Sequence, residues 1–298
     1  LSKEGFLFGL RLNIDNAEII DHLKLNFIKN LNVIVFTYNI KTDLDHFSFK
    51  DTGYRFFIEA TDIELSEKLH KVSPHGVIVR GHEASGKVSK YSSFIILQWY
   101  LENSKLPVFV HGGVGMHTAA GIFATGASGI VLDSQLYLTD ESPVTETFKS
   151  LLKTIEEKDT VVVGDTLKRS YRFFAKLGTK VVKDLKEREI HLLEDERADE
   201  ILYHEITKTI ISLTDDVKAP IQSLFYLGQD ACFSKHFIRK STKLREIISL
   251  LFENISSMLT DVDEFDPLKE GSALAREHGT KYPVIQGPMA NISDNADF

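Results

Sequence analysis

The sequence predicts an α/β fold, and three observations carry that reading. Six near-continuous apolar runs recur along residues 6–133, amphipathic helical patterns lie between them, and glycines gather where the runs end. Runs that stay apolar, rather than alternating with polar residues, mark strands buried on both faces, as in parallel sheets. Strands that alternate with helices and short loops give α/β architecture.

The elements follow in order. "FLFGLRLN" (6–13) is the first strand, and apolar residues recur at helical spacing in "NAEIIDHLKLNFIKNL" (16–31). "NVIVFTYN" (32–39) and "YRFFIEA" (54–60) are strands rich in β-branched and aromatic residues. "TDIELSEKLHKV" (61–72) reads as a helix capped by Thr61 or Asp62. "HGVIVRG" (75–81) is the next strand, followed by the Gly-rich loop "RGHEASGKVSK" (80–90) and the helix "SSFIILQWYLENS" (92–104). "LPVFVHGG" (106–113), "MHTAAGIFATGA" (116–127) and "ASGIVLD" (127–133) complete the series as strand, helix and strand.

Two arrangements compete, a doubly wound open sheet and a (β/α)8 barrel, and in both function gathers at the C-terminal strand ends. Gly81 and Gly86 follow one strand, Gly112, Gly113 and Gly115 the next, and Asp133 and Ser134 the last. Three successive strand ends of small or polar residues suit a barrel rim. "GGVGMHTAAGIFATGA" suits a loop whose backbone N–H groups and following helix hold an anion. A tight turn without a ligand is the plain alternative.

From Glu146 to about Lys281 the text is helical and charged. Thr145 is a candidate cap, "TVVVGD" (160–165) a lone strand, and "STKLREIISLLFENISSMLTDV" (241–262) a long amphipathic helix. The chain of 298 residues carries a net charge of -8, which argues against nucleic acid as a partner. No apolar run approaches the ~20 residues of a membrane span. A single cysteine, Cys232, excludes an internal disulfide and points to a reducing cytoplasm. His191, His204, His236 and His278 show no metal-ligand spacing with carboxylates, so no metal site is expected.

The order "GHEASGK", "LPVFVHGGVG", "GASGIVLDSQLYLTDES" resembles the flavin-dependent nitronate monooxygenase (2-nitropropane dioxygenase) and enoyl reductase barrels. "YPVIQGPMANISD" (282–294) is similar to the first strand of that family, and "SLFYLGQDACFSKHF" (223–237) to a segment of large synthases carrying such barrels in tandem. The resemblance implies a partial (β/α)8 TIM barrel, strands three to eight, over residues 1–145. A mainly helical domain or linker would fill 146–280, and a second flavin-type barrel would begin at 281–298. It further implies an FMN-dependent oxidoreductase within a polyketide or fatty-acid synthase. A small molecule or acyl thioester would be the substrate and an acyl carrier protein a further partner. The alternative is a non-catalytic barrel acting as a structural or docking module beside an active flavin barrel.

Residue by residue, Glu83, Ala84 and Gly86 match the sixth-strand motif of the family, and Lys87 stands where it has its general acid/base histidine. Gly112 and Gly113 match the phosphate-cradling pair. Asp133 and Ser134 replace a glycine and a threonine, Arg11 an asparagine, and Glu59 a glutamine. The implied flavin-binding set is therefore Gly86, Gly112, Gly113, Ser134, Gly287, Pro288 and Met289, with Lys87 catalytic. An unperturbed lysine, with a pKa of about 10.4, is a poor base at neutral pH, so burial must lower it for that role. Without a first strand ahead of residue 6, tight flavin binding by these residues alone is not expected.

Overall fold

The computed structural model describes residues 5–38, 44, 47, 49, 52–167, 169–175, 179–218, 220–284 and 287, with backbone alone at 199, 263 and 265. It divides into two compact units, Leu1–Leu251 and Phe252–Phe298.

Six parallel strands build the first unit: β1 (Phe8–Asn13), β2 (Leu31–Thr37), β3 (Arg55–Ala60), β4 (Gly76–Arg80), β6 (Val108–His111) and β7 (Gly129–Val131). Each expected strand is present, trimmed at its ends. The spatial order equals the chain order. A doubly wound sheet reverses its order at a switch point; this sheet does not, and it curls as a half-barrel. Helices α1 (Ala17–Leu25), α3 (Ser93–Asn103) and α4 (Thr118–Ala124) connect the strands. The helix expected over 61–72 is instead a 3₁₀ turn, Glu64–Glu67, and a single turn, α2 (Leu69–Val72). Ile63, rather than Thr61 or Asp62, takes the cap position; Asp62 accepts the Leu65 N–H at 2.9 Å from one residue before it. The Ser66 hydroxyl, however, bonds back to the Ile63 carbonyl, a local bond that competes with a regular helix.

Strand register decides which side chains share a face. Asn13 pairs with Thr37, Thr37 with Glu59, and Glu59 with Ile78; Arg80 pairs with His111, and His111 with Val131. With a period of two, residues 11, 13, 35, 37, 59, 78, 80, 111 and 131 therefore share one face, and they line one cavity. The opposite face carries Phe36, Phe56, Ile58, Val77, Val79 and Val110, all fully buried. Towards the N-terminal strand ends the inner face is filled by Phe57 and Phe109, packed edge to face at 5.4 Å. Gly129 makes room for them, since a Cβ there would lie 2.6 Å from the Phe109 ring.

A second, antiparallel sheet caps the strand ends. β5 (Gly86–Lys87), inside the Gly-rich loop, pairs with β9 (Tyr171–Phe174), which pairs with β8 (Thr160–Val163). This sheet straddles the boundary expected at residue 145. Its outer face packs on α6 (Lys180–His191) and α7 (Ala198–Thr209) through Val163, Phe173, Leu185, Leu202 and Ile206. Phe148 of α5 (Glu146–Leu152) stacks edge-on against Phe225, which lies flat on Phe174. The one-turn α8 (Ser234–Phe237) follows, and then α9 (Leu244–Phe265), whose first turn is capped by Glu141 at the Leu244 N–H.

In the second unit α10 (Ala273–His278) starts at Ser272 and stops at Gly279, whose φ of +65° is the left-handed close that favours glycine. Of the trio expected to line a flavin at the start of a second barrel, Pro288 and Met289 lie outside the described residues. A Cβ on Gly287 would meet open space.

Candidate active site

The curled sheet and the small sheet enclose a cavity of about 590 Å³ at the C-terminal ends of the strands. Its floor is a chain of charges that crosses five strand ends. Arg11 on β1 makes a two-pronged pair with Glu59 on β3, at 3.0 and 2.7 Å. Glu59 also takes the Arg80 guanidinium of β4 at 3.0 Å, and Arg80 donates to His111 Nδ1 of β6 at 3.0 Å. His111 Nε2 lies 3.4 Å from Asp133 Oδ2, just past β7. Ser85 and Tyr137 also donate to the Asp133 carboxylate.

Burial makes these charges interdependent. Glu59 and Arg80 are only 6% and 4% exposed. Burial alone would raise the Glu59 carboxyl; Arg80 and Arg11 outweigh it and hold the group at about 2. Asp133 is likewise held well below the carboxylate range: burial would raise it, and the neighbouring His111, the Ser85 hydrogen bond and the Arg80 charge overcome that. His111 is pushed down, chiefly by burial and then by Arg80. An arginine can only donate, so His111 Nδ1 is the acceptor and the ring proton sits on Nε2, facing Asp133. Arg80 also reaches the Lys87 and Ser85 carbonyls, so its guanidinium ties the Gly-rich loop to the sheet.

Lys87 stands on the opposite wall. Its ammonium donates to the Tyr38 carbonyl and lines the cavity. Burial lowers its pKa to about 8, with Asp62 acting against the shift. Beside it Tyr171 stacks with Tyr203 and Tyr226, and the Arg169 guanidinium lies 4.9 Å from the Tyr203 ring centre. The cavity thus sets cations and an aromatic wall around one space, which suits a conjugated, anionic small molecule. Among the described residues no group of His, Cys, Asp and Glu could hold a metal ion. Nor, among them, is any helix long and apolar enough to cross a membrane.

The residues singled out from sequence fall in two places. Gly86 and Lys87 line the cavity; Gly86 has φ +69°, and a Cβ there would touch the Tyr226 ring. Gly112, Gly113 and Ser134 lie behind it. A Cβ on Gly112 would sit 2.9 Å from the Ala84 nitrogen, so this glycine admits the chain's own loop. The Ser93 hydroxyl, 2.8 Å from both Glu83 and the Gly112 carbonyl, braces that contact. The Gly113 amide faces the Asp230 carboxyl. Ser134 is fully buried, and its hydroxyl accepts the Gly228 N–H. A phosphate at this pair would meet both Asp133 and Asp230. The residues do not fit the phosphate of FMN there.

Arg80, His111 and Asp230 were not legible as site residues. Arg80 and His111 close apolar runs, "GVIVR" and "VFVH", and a charged or titratable residue ending a buried strand is the signal that marks them. In sequence the segment reads as a helix entry capped near Gln229 or Asp230, but Gly228 takes the cap position and Asp230 is buried.

Several solved structures share this architecture. FabK from Thermotoga maritima superposes with a TM-score of 0.67 at 19% identity, over 87% of this chain and 79% of its own. The enoyl reductase domain of MlnA from the macrolactin biosynthesis cluster of Bacillus amyloliquefaciens gives 0.60 at 12%, over 86% and 83%. Nitroalkane oxidase from Streptomyces ansochromogenes gives 0.56 at 15%, over 86% and 82%. No curated protein matches significantly. The nitronate monooxygenase family matches residues 10–231, which takes in the curled sheet, the cavity and the loop that reaches Asp230, and the chain belongs to that family.

Proposed function

We propose that this chain is an oxidoreductase of the nitronate monooxygenase/enoyl reductase type, with its six parallel strands as strands three to eight of a (β/α)8 barrel. The observation that carries the reading is the cavity at the C-terminal strand ends of a member of this family, with Lys87 on its wall. The substrate class it suits is a conjugated carbonyl, such as an enoyl thioester, or a nitronate. The guanidinium of Arg11, half exposed, is positioned to draw the anionic or polarised end of such a molecule. Lys87, with its lowered pKa, holds a proton at Nζ that it gives up near neutral pH more readily than a surface lysine. The structural likeness to the enoyl reductase domain of MlnA supports a place in a polyketide synthase; in such a synthase, or in a fatty-acid synthase, an acyl carrier protein would deliver the thioester.

Flavin is the redox group the family reading brings, and the aromatic wall favours a flat ring. The glycine pair, however, does not fit its phosphate. The alternative reading is a non-catalytic barrel working beside an active flavin barrel. Turnover of an enoyl thioester by full-length protein distinguishes the two: a large loss in a folded Lys87→Ala supports the first, and turnover unchanged by that substitution supports the second.

A further inference from the structure

Between the loop after β6 and the turn after β7 lies a small polar nest, and the chain itself fills it. The segment Gly228–Asp230 enters from the far side of the unit. The Gly228 N–H donates to Ser134 Oγ at 3.1 Å, and the Gln229 N–H to the Glu83 carbonyl at 2.8 Å. Gln135 Nε2 donates to Asp230 Oδ2 at 2.8 Å and to the Val114 carbonyl at 2.8 Å. The Gly113 amide faces the same carboxyl group. Ser234 fastens the turn by donating to the Ser134 carbonyl at 2.9 Å. Asp230 is 3% exposed, and its buried Oδ1 has no hydrogen-bond partner among the described residues. Gly228 presses on that atom so closely that a Cβ would lie 2.4 Å from it.

A buried carboxyl oxygen left without a partner is costly. The charge network does not hold this group as a carboxylate: Arg80 and Arg11 are taken by Glu59, and burial, then Asp133 and Glu83, push the Asp230 carboxyl up to about 8 against the opposing Gly113 amide and Arg172 charge. What the position does hold is an acceptor group set against a backbone amide and an amide side chain, the donors that recognise an oxyanion.

We infer that Asp230 is a built-in occupant of this nest, its carboxyl group standing where a ligand's phosphate would otherwise be bound. Ligands of the cavity are then recognised by their rings and by Arg11 and Lys87, and a terminal phosphate adds nothing to their affinity. The inference rests on the flavin reading only for its choice of probe.

The test compares FMN with riboflavin, which differ only by the phosphate, by fluorescence titration of the full-length protein. Melting temperature with and without inorganic phosphate is read in parallel. Wild type is expected to bind the two flavins within about threefold of each other and to ignore phosphate. Asp230→Gly is expected to favour FMN at least tenfold and to melt higher with phosphate. Asp230→Asn, which keeps the nest filled, should behave as wild type. Asp230→Ser replaces the glycine variant should that fail to fold by circular dichroism. A wild-type preference for FMN of tenfold or more overturns the inference. So does a folded Asp230→Gly with no new preference and no phosphate response. Should no variant bind either flavin, the phosphate response alone decides the nest, and the missing flavin counts against the oxidoreductase reading instead.

Discussion

Glu59 is buried and takes two guanidiniums, one buried and one half exposed, and breaking such a group costs more than forming it gains. Glu59→Gln leaves Arg11 and Arg80 without their counter-charge and should lower stability by about 3–5 kcal/mol at pH 7 in urea unfolding. Because the folded-state pKa is depressed to about 2, this stabilisation is fully present above the ordinary value of 4.5 and is lost as pH falls towards 2. The difference between wild type and variant should therefore shrink on acidification. Lys87 is a different case: its folded pKa is also depressed, but burial rather than a partner is the cause. Below pH 8 both folded and unfolded states carry the charge, and the folded state bears the full cost of burying it. Between about 8 and 10.5 only the unfolded state stays protonated, so wild-type stability climbs with pH. Lys87→Met should gain about 1–2 kcal/mol at pH 7, with the gain fading by pH 10 in the same assay. A residue that weakens the fold at working pH is the pattern of a site rather than of a core. Lys87 was legible only through the family motif around it. Arg80 and His111 were not, because a pairing between positions 80 and 111 depends on strand register, which composition does not carry.

At the scale of elements, the six parallel strands were legible because strands covered on both faces are apolar without interruption. β5 and β9 were not: a two-residue strand has no periodicity, and its partner lies some eighty positions away. The segment after residue 145 read as helical because its strands are short and its helices long. Yet β8 and β9 bring Tyr171 and Arg169 over the cavity, so that segment is part of the site. The loop after β6 illustrates how a motif survives a change of use. Gly112 has φ +106° and abuts the Ala84 backbone, so its glycine is required by packing whatever binds nearby. Gly112→Ala should cost about 2 kcal/mol or more, seen as a fall in melting temperature.

For the molecule as a whole, a chain of net charge -8 gathers Arg11, Arg80, Lys87 and Arg169 around one cavity. Arg80 is committed to Glu59 and His111, while Arg11 and Lys87 line the space that a ligand would enter. Cations focused in a cleft of an acidic protein draw anions and repel other acidic surfaces. The α/β class followed from alternation of apolar runs and helical patterns, whereas barrel against doubly wound sheet turned on strand order, which only the fold displays. The central claim is that this cavity, with Lys87 on its wall, is where chemistry occurs. The measurement that tests it most directly is turnover of an enoyl thioester by full-length Lys87→Ala and wild type, compared at equal flavin content. A loss of 10²-fold or more in kcat, with the variant folded and its flavin retained, is the predicted result. Unchanged turnover in a folded Lys87→Ala would contradict the account and leave the chemistry to another part of the protein.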